Sequence, residues 1–188
     1  MKKNKTLPKI IVILGPTASG KSEMAVKIAK KFRGEIISAD SRQIYKGIDV
    51  GTAKIAKKEM KGIPHHLLDV VSPDKILTLA QYQKQTLAAI KKILKKGKLP
   101  IICGGTGLYI QAIVDNLRIP EVPPNPKIRA KIEKEIAEKG LAAIYKKLLK
   151  LDPECEKFID PKNPRRIIRA LEVCLITKKP FSELRQKN

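Results

Sequence analysis

The 188-residue sequence has no tryptophan, three cysteines and two histidines, and aromatic residues make up only 4% of it. Three is an odd number of cysteines, and their spacing matches no metal-ligand pattern. Cys103 lies in an apolar run and Cys174 on the apolar face of a helical pattern, so both read as buried thiols in a reducing cytosol. His65 and His66 are adjacent on an extended segment and point to opposite faces, which makes them poor joint metal ligands; a structural role is expected. No long uncharged apolar stretch occurs, so neither a transmembrane helix nor a membrane partner is expected. The N-terminus is basic, but the apolar run after it flows directly into a Gly-rich loop, which makes it a core strand and not a signal peptide.

Acidic residues are also scarce. Asp and Glu number 18 against 40 Lys and Arg, a net charge of +22. Such an excess points to a polyanionic partner, nucleic acid first. The alternative is lysine decorating solvated faces, since Lys greatly outnumbers Arg and Lys95-Lys96 and Lys146-Lys147 end or line helices. Apolar residues at 43% suffice for a packed core, and the length fits one domain, or one domain with a small appendage.

The strongest positive signal is Gly15-Pro16-Thr17-Ala18-Ser19-Gly20-Lys21-Ser22, a complete G-x-x-x-x-G-K-[ST] phosphate loop. It follows the apolar run Ile10–Leu14 and precedes a helical pattern, the strand–loop–helix context the motif needs. Loop N–H groups can cradle a di- or triphosphate, Lys21 can place charge on it, and the Ser22 hydroxyl can ligate Mg²⁺. The helix N-terminus adds a favourable field for the anion.

The periodicity predicts a helix with Met24, Ala25, Ile28, Ala29 and Phe32 on one face and Gly34 just past its end. Strands are expected at Glu35–Ala39, His66–Val71 and Leu99–Cys103, and a helix at Leu79–Lys96 with a Thr78/Gln81 capping box and Gly97 as its stop. Alternating strands and helices imply a parallel sheet, with ligands outside the carboxyl ends of its strands. Three segments should converge there: the phosphate loop, Asp40–Gln43 and Gly104–Thr106. Pro120, Pro123, Pro124 and Pro126 then read as a linker. Beyond it helices are expected from Pro126 to Gly140, over Leu141–Leu149, and from Pro164 with Ile167, Ile168, Leu171 and Leu175 inward. The expected organisation is an α/β core over 1–118 and a helical module over 119–188.

Asp40 can ligate Mg²⁺, abstract a proton, or merely cap its own turn. Ser41, Arg42 and Gln43 extend its polar patch, and Gln43 could read a base edge. Gly104-Gly105-Thr106-Gly107 can let a substrate approach the backbone, or be only a strand-to-helix turn. Asp69 can approach the Mg²⁺ region or serve a turn. Arg165, Arg166 and Arg169 form a basic face at a helix start, suited to phosphodiester contacts or simply solvated, and Arg129 could join it.

Taken in order, these segments resemble the tRNA dimethylallyltransferase (isopentenyltransferase) family. The resemblance rests on the phosphate loop, Ser38-Ala39-Asp40-Ser41-Arg42-Gln43-Ile44-Tyr45, Gly51-Thr52-Ala53-Lys54, Pro64-His65-His66-Leu67-Leu68-Asp69, Gly104-Gly105-Thr106-Gly107-Leu108-Tyr109 and Arg165–Val173. It implies a P-loop NTPase-like core with an inserted all-helical module. It also implies transfer of a dimethylallyl group from dimethylallyl diphosphate to N6 of adenine 37 in tRNA. On that basis the loop Gly15–Ser22 holds the diphosphate and Mg²⁺, with Thr17 assisting where related folds hold a nucleotide. Asp40 becomes the general base, and Thr106 is expected to be catalytic with it. Asp40, Ser41, Arg42, Gln43, Thr106, Arg129 and the stretch Arg165, Arg166, Ile167, Ile168 and Arg169 become tRNA contacts. A cytoplasmic monomer is implied. The family continues well past Asn188, so the chain is expected to be an N-terminal fragment, lacking a return to the core and a basic segment, and impaired by itself. The rival readings are a phosphate-loop small-molecule kinase using ATP and an inactive tRNA-binding fragment.

Overall fold

The computed structural model describes residues 9–120 and 122–184, in two compact units, Met1–Asn116 and Leu117–Asn188. The first holds β1 (Ile11–Leu14), α1 (Lys21–Phe32), β2 (Gly34–Ser38), β3 (His65–His66), α2 (Leu79–Lys95), β4 (Leu99–Gly104) and α3 (Gly107–Val114). The strands form one parallel sheet in the order β1-β4-β2-β3. β4 is central, with Ile101 opposite Ile11 on one side and Ile36 on the other. Side chains alternate across a strand, so Ile36, Ile101 and Cys103 face Ala25, Val26 and Ala29 of α1, while Ile37 and Ile102 face Tyr82, Ile90, Ile93, Ile110 and Ile113 of α2 and α3. Both faces are covered, and each fully buried isoleucine contributes about 1.5–3 kcal/mol.

Three expectations shift. The inward face of α1 is Ala25, Val26 and Ala29, whereas Met24 and Phe32 are exposed. The left-handed turn ending α1 falls on Arg33 (φ 51°), not Gly34. Gly34 opens β2, where a Cβ would come within 2.8 Å of the Leu99 carbonyl oxygen; its smallness serves strand packing. The expected strand His66–Val71 shortens to His65–His66, because Leu67 (φ 60°) and Asp69 (φ 53°) turn the chain. Val71 returns only as an isolated parallel bridge to Tyr45. α2 forms as expected: the Thr78 hydroxyl accepts from the Gln81 N–H and the Gln81 side chain accepts from the Thr78 N–H.

The second unit comprises α4 (Pro126–Lys139), α5 (Leu141–Leu151), α6 (Pro164–Thr177) and α7 (Phe181–Leu184). Asn125 and Asn163 cap α4 and α6 by accepting from the N–H groups of Ile128 and Arg166, and each is followed by proline at the first helical position. Ile132, Ile144, Leu148, Ile167 and Leu171 form the core. Cys103, Cys155 and Cys174 are buried and form no disulfide. No helix among the described residues is long and apolar enough to cross a membrane.

Glu35 is fully buried near the start of β2. Its carboxylate takes His66 Nε2 at 2.8 Å, Lys96 Nζ at 2.9 Å and Lys98 Nζ at 2.8 Å, which ties β2, β3 and the end of α2 together. Burial alone would raise its pKa. The bonds to Lys98, His66 and Lys96 outweigh burial and hold it at about 2 instead of its usual 4.5. The folded-state value is depressed, so the stabilisation is complete above the unfolded value and fades as pH falls from 4.5 through about 2. Glu35→Gln should therefore cost about 1–3 kcal/mol at neutral pH and flatten the acid limb of thermal stability. Melting followed by circular dichroism between neutral pH and pH 2 checks it, and equal acid limbs would count against this role.

Candidate functional site

The phosphate loop lies between β1 and α1. Ala18 (φ 62°) and Gly20 (φ 75°) take left-handed conformations that curl the chain back on itself. A Cβ on Gly15 would stand 2.8 Å from Ser19 Oγ, so only glycine fits without displacing that hydroxyl. No side chain caps the start of α1. Its first N–H groups are therefore free for an anion, with the positive end of the helix dipole behind them. Lys21 Nζ donates to the Pro16 carbonyl oxygen at 2.7 Å and so lies across the loop. Pro16, Thr17, Ala18, Ser19 and Gly20 are exposed; Ser22 is half-buried.

The parallel register brings the other two segments to the same edge. Leu14 pairs with Gly104, and Ser38 with Cys103, so the chain leaves β1, β2 and β4 side by side. β4 and β2 approach so closely that any Cβ on Gly104 would collide with the Ala39 carbonyl. A Cβ on Gly105 would come within 3.2 Å of the Gly15 carbonyl oxygen, so the Gly-Gly pair also lies against the phosphate loop. Three hydrogen bonds stitch the edge: Ala39 N to Cys103 O at 2.8 Å, Thr106 N to Ala39 O at 3.0 Å, and Ser41 N to Thr106 Oγ1 at 3.0 Å. Below them Tyr82 donates its hydroxyl to Ser38 O and stacks on Tyr109, ring centroids 3.8 Å apart.

Asp40 divides its carboxylate between two tasks. Oδ1 accepts from the N–H groups of Arg42 (2.8 Å) and Gln43 (3.3 Å), the turn-capping geometry of an Asx turn. Oδ2 has no partner among the described residues. The Gln43 amide is already used: it donates to the carbonyls of Thr52 and Ala53 at 3.1 and 3.2 Å, which leaves its N–H₂ unavailable to a base edge. Arg42 is exposed, and its guanidinium has no partner among the described residues. Thr106 uses its hydroxyl oxygen as an acceptor from Ser41, and its own proton has no partner among the described residues.

Lys54 is a brace that the sequence places only within a motif. Its side chain is 5% exposed, and Nζ meets Asp49 and Asp69, each at 2.6 Å, and the Tyr45 carbonyl at 2.9 Å. Burial lowers its pKa, but the bonds to Asp49 and Asp69 win and raise it. Asp69 thus serves an ion pair and a turn. Cys103 donates weakly to Lys21 O at 3.6 Å, and burial pushes its thiol up to about 11, so it is no nucleophile at neutral pH.

In the second unit the expected basic face divides. Arg165 and Arg166 are exposed and have no ion-pair partner among the described residues. Arg169 and Arg129 instead both bind Glu172, which is fully buried. The Ile167 side chain is wholly within the core and Ile168 is half-buried against it, so neither presents a side chain like those of Arg165 and Arg166. Four spacing can place Arg165 and Arg169 on one helix face; only burial shows that a carboxylate has claimed the second.

Residues 43–188 match the family described as IPP transferase. The chain is 49% identical over 176 residues to the tRNA dimethylallyltransferase of Roseiflexus sp., spanning 94% of this chain and 58% of that protein. To the enzyme of the same name from Thermoanaerobacter sp. (strain X514) it is 53% identical over 173 residues, 92% of this chain and 55% of that protein. Among solved structures, the full-length tRNA isopentenylpyrophosphate transferase from Bacillus halodurans aligns with a TM-score of 0.60 at 40% identity, over 93% of this chain and 57% of that one. A eukaryotic dimethylallyltransferase acting on tRNA aligns with a TM-score of 0.73 at 31% identity, over 96% and 46%. The chain thus spans little more than half the length of the curated relatives it matches.

The two tasks of Asp40 are separable. An asparagine keeps an oxygen for the Arg42 and Gln43 N–H groups, and an alanine does not. Asp40→Ala should lose about 1 kcal/mol of stability, while Asp40→Asn stays near wild type; urea unfolding of the two variants measures the difference.

Proposed function

This chain belongs to the IPP transferase family, and we propose that it carries the donor site and part of the RNA grip of a tRNA prenyltransferase. The reaction is transfer of a dimethylallyl group from dimethylallyl diphosphate to N6 of adenine 37, in the cytoplasm, where cysteines outside disulfides stay reduced. One observation carries the reading. A helix start behind a phosphate loop and a carboxylate oxygen, neither with a side-chain partner among the described residues, leave the same edge of one sheet.

The diphosphate lies in the loop Gly15–Ser22. The loop N–H groups and Lys21 stabilise the negative charge that grows on it as the allylic C–O bond breaks. The adenine N6 lone pair forms the new bond to the allylic carbon, the C–O electron pair leaves with the diphosphate, and the N6 proton passes to Asp40 Oδ2. That oxygen is free because Oδ1 alone holds the turn. Thr106 fixes the Ser41 backbone beside the base through its hydroxyl oxygen, and its hydroxyl proton is left to donate. Such an adenine has to leave its stack, which suits basic side chains such as Arg42 on the first unit and, on the second, Arg165 and Arg166. Mg²⁺ fits this donor set: it takes hard oxygen ligands and retains phosphates and waters, so the Ser22 hydroxyl with diphosphate oxygens suffices, and it would neutralise charge on the leaving group.

Lys21→Ala should abolish measurable binding of dimethylallyl diphosphate in calorimetry with Mg²⁺ while the melting curve is kept; unchanged affinity would refute the donor site. Asp40→Asn, assayed in a polypeptide of the relatives' full length at saturating donor and tRNA, should lose about 10²–10⁴ in turnover with tRNA affinity little changed. Full activity in that variant would return Asp40 to its turn. ATP hydrolysis without tRNA would instead support a kinase.

A further inference from the structure

We infer that Glu172 is a positioning residue for RNA binding, holding Arg129 and Arg169 so that their outward N–H groups meet a phosphate already aligned. The inference rests on the reading of the protein as a tRNA enzyme. It adds a residue whose sign of charge is wrong for that partner.

Glu172 is fully buried in α6 and takes four donors. Oε1 accepts from Asn125 N at 2.7 Å and Arg129 Nε at 2.9 Å; Oε2 accepts from Arg129 Nη2 at 2.9 Å and Arg169 Nη1 at 2.7 Å. Four donors fill the lone-pair positions of a carboxylate. Arg129 is therefore gripped side-on by Nε and Nη2, a bidentate geometry that leaves its rotamer no freedom. Its Nη1 has no partner among the described residues, and the side chain is 37% exposed. Arg169 is fixed a second time, by Nη2 to the Val122 carbonyl at 2.8 Å, and is 30% exposed.

The arrangement is costly as mere stabilisation. A buried carboxylate bound to two arginines often contributes no more than an apolar cluster would. Its distinguishing effect is order. A free arginine loses rotamer entropy on meeting a phosphate, and one already clamped loses little. One negative charge against two positive ones also leaves the pair net positive. Glu172 further holds the Asn125 N–H at the start of α4, so the clamp and the helix carrying Arg129 share an anchor.

The test uses the full chain and an anticodon stem-loop RNA, with affinity measured across a salt series. Charge counting alone predicts that Glu172→Gln, which removes a negative charge, binds RNA more tightly. Positioning predicts the reverse: affinity weaker by roughly tenfold and a salt slope smaller by about one per lost phosphate contact. Arg129→Lys, which keeps the charge and loses the fork, should weaken binding as well and covers the case of Glu172→Gln failing to fold. Combined with Arg129→Ala, Glu172→Gln should add little further loss. Wild-type binding with equal or tighter binding by Glu172→Gln, or by Arg129→Lys if the first does not fold, would overturn the inference alone. A wild-type chain that does not bind the stem-loop would overturn the RNA reading and this inference with it.

Discussion

The close approach of β2 and β4 governs the first unit. At Gly104 the two backbones come nearer than any side chain would permit, and the Ala39 carbonyl occupies the space where a Cβ would be. From that contact follow the hydrogen bonds that lock Ala39 to Cys103 and Thr106, and Ser41 to the Thr106 hydroxyl. Asp40 sits between two such locked residues, so the position of its carboxylate is set by the sheet and not by a loop. The same Gly-Gly pair lies against Gly15, which couples the phosphate loop to the strand bearing no chemistry of its own.

A strongly basic chain uses its few acids with economy. Glu35, Asp152 and Glu172 are buried, and each is saturated: Glu35 by His66 and two lysines, Asp152 by Ser182 and Cys155, Glu172 by two arginines and a backbone N–H. Burial favours the neutral acid in all three cases, and the surrounding donors reverse that. These acids act as internal clamps. Arg165 and Arg166 at the start of α6 stay exposed, with no ion-pair partner among the described residues. Net charge is a poor guide to which cations are available, because the clamps select some of them.

Some of this was legible in the residues. The phosphate loop, the α2 capping box, the Asn-Pro starts of α4 and α6 and the parallel sheet follow from local rules: a turn needs particular φ angles, a helix start needs an acceptor, and a crossover needs a helix. Even the meeting of Asp40, Thr106 and the loop follows from parallel order, since ligands collect outside the carboxyl ends of such strands. Other features were not local. Gly34 looked like a helix stop, but its small size answers to Leu99, far along the chain. The strand expected up to Val71 stops after His66 because Leu67 and Asp69 turn away. Lys54 and Asp69 belong to separate motifs that only the fold brings within 2.6 Å.

The sequence by itself therefore determined the class of fold, the phosphate loop and the residue types that can do chemistry, because each depends on neighbours within a turn or two. Tertiary structure alone decided which of those residues are free to act. Gln43 donates to Thr52 and Ala53, Arg129 and Arg169 are held in place by Glu172 with N–H groups left over, and one oxygen of Asp40 serves its turn while the other has no partner among the described residues. Hydrogen-bond capacity is finite, and partners distant in the chain consume it only once packing has brought them together.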